Sequence, residues 1–207
     1  MNLRRSRRIA PALPGFATLA ISAIVALPAC SPPPSSGVAP DAPATRAAAS
    51  RAATPCDDFD VAGLLNHLIG GNFWVAPLVE GKTIEQVGDT LDRDFSKDEY
   101  DASAKEADAA FSLPGAMERP VAVSYGPVPA EVYAGHRFVD VVIHGWDLAK
   151  ATGQDTSLDP ELVEACWSVI NPQMELLRGS GMFGNQLDVP DDADSQTKLL
   201  ATLGREA

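Results

Sequence analysis

Beyond residue 55 the chain repeats apolar positions at helical spacing in four stretches, separated by glycine, proline and short polar runs. The first stretch follows Pro55, with Asp57 and Asp58 suited to the positive end of a helix. It runs through VAGLLNHLIGGNFWVAPLV to about Val79, with Val61, Leu64, Leu65, Leu68 and Val75 as its apolar stripe. Residues 95–112 form a second, more polar helix with alanines along one side, broken by Leu113-Pro114-Gly115. The segment RPVAVSYGPVP then has prolines and alternating valines, which predict a short extended arm. A third helix spans Ala130 to Thr152, with Val132, Val139, Val142, Ile143, Trp146 and Leu148 apolar and Gly153 as its stop. A fourth begins at Pro160 after Asp159, continues to about Gly179 and is expected to kink at Pro172. After a loop, a short helix is predicted from about Asp194 to Leu203. The pattern predicts a mainly α fold, a four-helix bundle with a strand-like arm before helix three.

The first quarter of the chain has a different character. Arg4, Arg5, Arg7 and Arg8 precede an apolar run from Ile9 to Ala29, the layout of an export signal over residues 1–30. Leu27-Pro28-Ala29-Cys30 resembles a bacterial lipobox, which makes Cys30 the expected lipidation site. Pro11, Pro14 and Pro28 argue against a permanent spanning helix. Residues 31–54, rich in Pro, Ala and Ser, bury too little to order themselves and are expected to be a disordered linker. The folded domain is therefore expected over 55–207, exported and membrane-anchored by lipid; a start near residue 50 would leave it in the cytoplasm instead. Removing residues 1–29 takes away four arginines and no acid, moving the net charge from −12 to −16. Such a surface offers no basic patch for nucleic acid, and the expected partner is a small molecule. Cys56 and Cys166 remain in the folded part, either as one disulfide or as two free thiols.

The candidate chemistry is histidine and aspartate. Asp140 and His144 stand four residues apart on helix three, so their side chains share one face about 5–6 Å apart. Both lie in an apolar surround where a charged group needs a partner. Either the two form a plain hydrogen bond, or they grip a metal ion with His67 of helix one as third ligand. A three-ligand His/Asp/His set leaves positions open, as catalytic metal sites do. His67 shares its face with Gly63, Gly70 and Gly71, each costing about 1 kcal/mol in a helix, which points to close packing or a site. His136 is a rim candidate, as a fourth ligand or general base, with a surface histidine as its plainer account. Asp147 is a candidate to orient a ligand's second nitrogen, unless it is a helix-surface carboxylate. Phe73, Trp74 and Trp146 either line a pocket or belong to the core. Zincin, nucleophile-elbow, Walker and C-x-x-C motifs are all absent from the sequence.

The segments TPCDDFDVAGLLNHLIGGN, RFVDVVIHGWDLAKATGQ and FGNQLDVPDDADSQTKLLATLGRE resemble an actinobacterial family of metal-binding proteins in the DinB / mycothiol-dependent maleylpyruvate isomerase superfamily. The likeness covers about residues 54–206. It implies a DinB-like four-helix bundle with a divalent ion, commonly zinc, held by His67, Asp140 and His144. It also implies a thiol cofactor such as mycothiol, and isomerase or S-transferase chemistry on a small electrophile. Low-molecular-weight thiols are scarce outside the cell, so the leader sequence favours an alternative: a non-catalytic, exported metal-binding lipoprotein.

Overall fold

The computed structural model describes residues 50–88, 95–96, 98–175, 178 and 184–207. The expected signal segment with Cys30 and the linker up to residue 49 lie outside the described residues.

Helix α1 (Val61–Val79) starts later than its acidic leader predicts, because Asp60 is its cap and accepts from Gly63 N at 2.8 Å. Asp57 and Asp58 lie instead in a turn closed by Phe59 N donating to Cys56 O at 3.0 Å. The Thr54 hydroxyl donates to Phe59 O at 2.8 Å and ties that turn down. Cys56 and Phe59 are thereby held near the start of α1.

The short α2 (Ile84–Val87) is closed by a capping box between Thr83 and Gln86. Helix α3 (Asp98–Phe111) opens with Asp98, Glu99 and Asp101 at its positive end. It buries Ala104, Ala107, Ala110 and Phe111, and these small side chains let it lie along α1. The predicted arm is an antiparallel hairpin of β1 (Pro120–Val123) and β2 (Gly126–Pro129), with Val121 opposite Val128. Its turn, Ser124-Tyr125, closes on Gly126, whose φ of 115° is open to glycine alone among common residues.

Helix α4 (Ala130–Thr152) follows β2 directly and stops at Gly153 with φ 70°. Helix α5 (Pro160–Ile170) is capped by Asp159, which accepts from Glu161 N at 2.8 Å. Pro172 brings no N–H to the ladder, and α-helical bonding gives way to a 3₁₀ turn at Asn171–Gln173. The helix is thus interrupted at the proline where the kink was expected. Helix α6 (Ser195–Thr202) is capped by Asp194, which accepts from Thr197 N at 2.8 Å.

The architecture is the mainly α bundle of the sequence reading, with two apolar clusters. One joins Val75, Leu78, Phe111, Val121 and Tyr133 from α1, α3, the hairpin and the start of α4. The other joins Phe138, Ile143, Trp146, Cys166, Ile170 and Leu199 from α4, α5 and α6. Trp146 therefore belongs to the core, and Phe73 stacks on Phe95 with ring centres 5.6 Å apart. Among the described residues the buried polar side chains are Asn72, Ser103, Arg137, His144, Asp147 and Arg205. Of these, Asn72 of α1 and Arg137 of α4 meet where the two helices pack together. Among the described residues no helix is long and apolar enough to cross a membrane.

Candidate metal centre

The three ligands predicted from two helices come together. His67 Nε2 lies 3.3 Å from Asp140 Oδ1, and His144 Nε2 lies 3.4 Å from that same oxygen. One donor atom from each residue falls within 4.8 Å of the other two. The two imidazoles stand edge to face with centres 5.2 Å apart. Phe59 covers both, its ring centre 5.0 Å from that of His67 and 6.4 Å from that of His144.

Two of the three side chains, His144 and Asp140, are held by neighbours. Asp147 is fully buried, no helix-surface carboxylate, and its Oδ2 lies 2.9 Å from His144 Nδ1. Arg205 grips Asp147 with both arms: Nε donates to Oδ1 at 3.3 Å and Nη2 to Oδ2 at 2.9 Å. On the other side, Arg137 Nη1 donates to Asp140 Oδ2 at 2.5 Å. Its Nη2 donates to Asn72 Oδ1 at 2.9 Å and to Leu68 O at 3.3 Å. Asn72 in turn donates to Ser103 Oγ at 3.2 Å, so α3 also braces the site.

This wiring sets the charges. Burial alone would push the Asp140 carboxyl up; the Arg137 guanidinium, with the hydrogen bonds of His144 and His67, holds it well below the usual carboxylate range. Burial alone would lower His144, but its bonds to Asp140 and Asp147 outweigh that and raise it. His144 thus has a carboxylate oxygen at each ring nitrogen. Once Nδ1–H donates to Asp147, the neutral ring turns the lone pair of Nε2 toward Asp140 Oδ1. Two acceptors at 3.4 Å repel unless a cation, proton or metal, lies with them. Tetrahedral coordination at zinc-type bond lengths separates donors by about 3.3–3.4 Å. That is the spacing of the two donor pairs that share Oδ1.

The site opens into a cavity of about 190 Å³ lined by all three histidines of the chain, together with Trp74, Tyr125 and Arg137. His136 stands apart from the three-residue group, bonded to Tyr125 Oη at 2.6 Å and to Gln173 Oε1 at 2.8 Å. It is a wall of the cavity and not a fourth member of the group. On the opposite side of His144, Cys56 Sγ lies within 4.8 Å of donor atoms of His144 and Asp147. Burial pushes this thiol up against the lowering influence of Arg205. Cys56 and Cys166 are both free thiols, so no disulfide joins them, and burial pushes Cys166 up to about 12.

Sequence reasoning missed Arg137, Arg205, Tyr125 and Gln173. Arg137 had a detectable signal, three residues before Asp140 on one helix face. Arg205 had none: it is 58 positions from its partner.

The model of the mycothiol maleylpyruvate isomerase N-terminal domain matches residues 39–149. The chain belongs to this family. Two uncharacterized proteins of Mycobacterium tuberculosis, one from strain CDC 1551 / Oshkosh and one from strain ATCC 25618 / H37Rv, are each 34% identical to it over 161 residues. Each alignment covers 73% of this chain and 82% of the relative. No solved structure matches it. The match to the isomerase N-terminal domain contains His67, His136, Asp140, His144 and Asp147, whereas Arg205 lies beyond it.

Proposed function

We propose that this protein binds a divalent metal ion, zinc by donor preference, through His67 Nε2, Asp140 Oδ1 and His144 Nε2. We further propose that it uses a low-molecular-weight thiol, mycothiol in the first instance, for isomerisation or S-transfer on a small electrophile. The observation that carries the metal reading is His144, whose two nitrogens both face carboxylates while Asp147 is already committed to Arg205. The thiol reading rests on the family. A bound ion would supply the positive charge that makes a thiol acidic at neutral pH.

The chain's own residues prepare the site. Asp147 and Arg205 fix the tautomer of His144, leaving Nε2 as the donor atom. Arg137 occupies Asp140 Oδ2 and leaves Oδ1 toward the histidines. Phe59 shields the imidazoles from water. A cavity of about 190 Å³ is smaller than sites for drug-sized ligands, about 300–1,000 Å³. It suits the thiol end of a cofactor and a small electrophile.

Titrating the cobalt-loaded full chain with mycothiol tests this reading. The expected result is a new thiolate-to-metal absorption in the wild type and none in His144→Ala, which should fail to load cobalt. Cobalt that binds but ignores the thiol would remove the thiol chemistry. It would favour the second reading, an exported metal-binding lipoprotein without catalysis, whose support is the Leu27–Cys30 segment. Mass spectrometry of the native N-terminus then decides between a lipid on Cys30 and a start further along.

A further inference from the structure

All three histidines line one cavity, but two of them have Asp140 as partner and the third does not. His136 sits between Tyr125 of the hairpin turn and Gln173 of the 3₁₀ turn. The proton positions in this chain follow from Gln173. Its amide nitrogen donates to Val169 O at 3.1 Å, which leaves Oε1 to face His136 Nε2 at 2.8 Å. An amide oxygen can only accept, so Nε2 carries the proton of the neutral ring. Nδ1 is then the acceptor, and the Tyr125 hydroxyl donates to it across 2.6 Å. The lone pairs of Tyr125 Oη are left for a ligand in the cavity.

We propose that Tyr125, His136 and Gln173 form a proton relay that takes up the proton a thiol sheds in this cavity. The proposal rests on the thiol reading above and deepens it. In the step, the S–H bond breaks and its proton passes to Tyr125 Oη. The Tyr125 O–H bond breaks in the same movement, and that proton passes to His136 Nδ1. The products are a thiolate, a neutral phenol and an imidazolium whose Nε2–H stays on Gln173 Oε1. Protons and charge balance, and the reverse movement returns the proton when sulfur leaves.

The other ionisable groups lining the cavity are His67, Arg137, Asp140, His144 and Tyr133. None suits the task. His67, Asp140 and His144 are committed to the ion in the proposed state, and Arg137 is already a cation. Burial pushes the Tyr133 phenol up to about 12. A tyrosine phenol, with an ordinary value of about 10, does not hold a lasting negative charge near neutral pH. A phenol of this kind must hand its own proton on as it receives another, and His136 Nδ1 is where it goes. Tyr125 touches the ligand and is the catalytic residue; His136 and Gln173 act through it.

Stopped-flow mixing of the cobalt-loaded full chain with mycothiol tests the relay, read as the rate of the thiolate absorption. In the wild type the rate should slow in deuterium oxide, as a proton transfer requires. Tyr125→Phe should slow it by about 10²-fold or more, the usual worth of a positioned acid–base group, and abolish the deuterium effect. Cobalt should still load to one equivalent and the end point should still be reached. Histidine ¹⁵N spectra of the metal-free protein give an independent reading: neutral His136 should carry its proton on Nε2. The Nδ1–H tautomer, or equal rates in wild type and Tyr125→Phe, overturns the relay alone. No thiol absorption in any protein overturns the thiol reading and the relay with it.

Discussion

Replacing Arg205 with alanine should destabilise the protein by about 3–5 kcal/mol, the usual cost of stripping one partner from a buried ion pair. Asp147 is fully buried and Arg205 is only 5% exposed. Their bond is two-pronged, Nε to Oδ1 and Nη2 to Oδ2. Without the guanidinium, the buried carboxylate keeps, among the described residues, His144 Nδ1 as its side-chain partner. An exposed pair would be worth about 1 kcal/mol or less, so the size of the loss distinguishes the two situations. For a domain of this length the expected drop in melting temperature is on the order of 10 °C. Arg205→Lys should recover only part of it, since an ammonium cannot reproduce the fork. Affinity for the proposed ion should fall with stability, by about 10–100-fold, because the carboxylate that orients His144 is no longer held in place. A melting curve within 2 °C of wild type would show that Arg205 does not serve Asp147.

Gly71→Ala should destabilise as well, against its helix propensity. Alanine in a helix interior is favoured over glycine by about 1 kcal/mol. A methyl group at Gly71, however, would sit 2.5 Å from Arg137 Nη1 and 2.8 Å from its central carbon. The guanidinium is held by Asp140, Asn72 and Leu68 O and has no slack. Pushing it off Asp140 exposes the folded state to a loss of about 3–5 kcal/mol, which outweighs the propensity gain. Gly145 of α4 is the control: a methyl group there meets nothing within 4 Å, so Gly145→Ala should stabilise by about 1 kcal/mol. The pH dependence gives a second readout. A carboxyl depressed in the folded state stabilises fully above its unfolded value, about 4, and that stability is lost as pH falls through the lower folded value. Asp140 is such a group. In Gly71→Ala acid unfolding should therefore begin at higher pH than in wild type. Urea melts at pH 7 and pH 4 check both statements.

The same residues show how much of the molecule was legible in the sequence. Helices α1, α4 and α6 and the break at Pro172 were readable because caps, glycine stops and proline act locally. So was the Asp140/His144 pair, since i and i+4 share a face by helical geometry alone. The start of α1 was misplaced because three aspartates compete for one cap, and the tie among Asp57, Asp58 and Asp60 is broken by the Cys56–Phe59 turn. The glycines around His67 were correctly a sign of close approach, but what approaches Gly71 is the Arg137 side chain and not a ligand. For Asp147 the sequence left two accounts open, orienting a histidine or lying on the helix surface, and its buried partner decides for the first. That partner depends on Gly204, whose φ of 80° and contact with Gly184 turn the chain end back toward α4. Contacts between distant segments leave no periodic trace, and it is these that complete the centre.

The central claim is that His67, Asp140 and His144 hold one divalent ion. Its most direct test is the metal stoichiometry of the full chain after dialysis against zinc, measured by elemental analysis in wild type, His144→Ala and Asp140→Ala. One equivalent in the wild type and none in either variant, with all three proteins folded by circular dichroism, is the predicted result. A folded wild type that retains no zinc, or a variant that retains as much as the wild type, would contradict it.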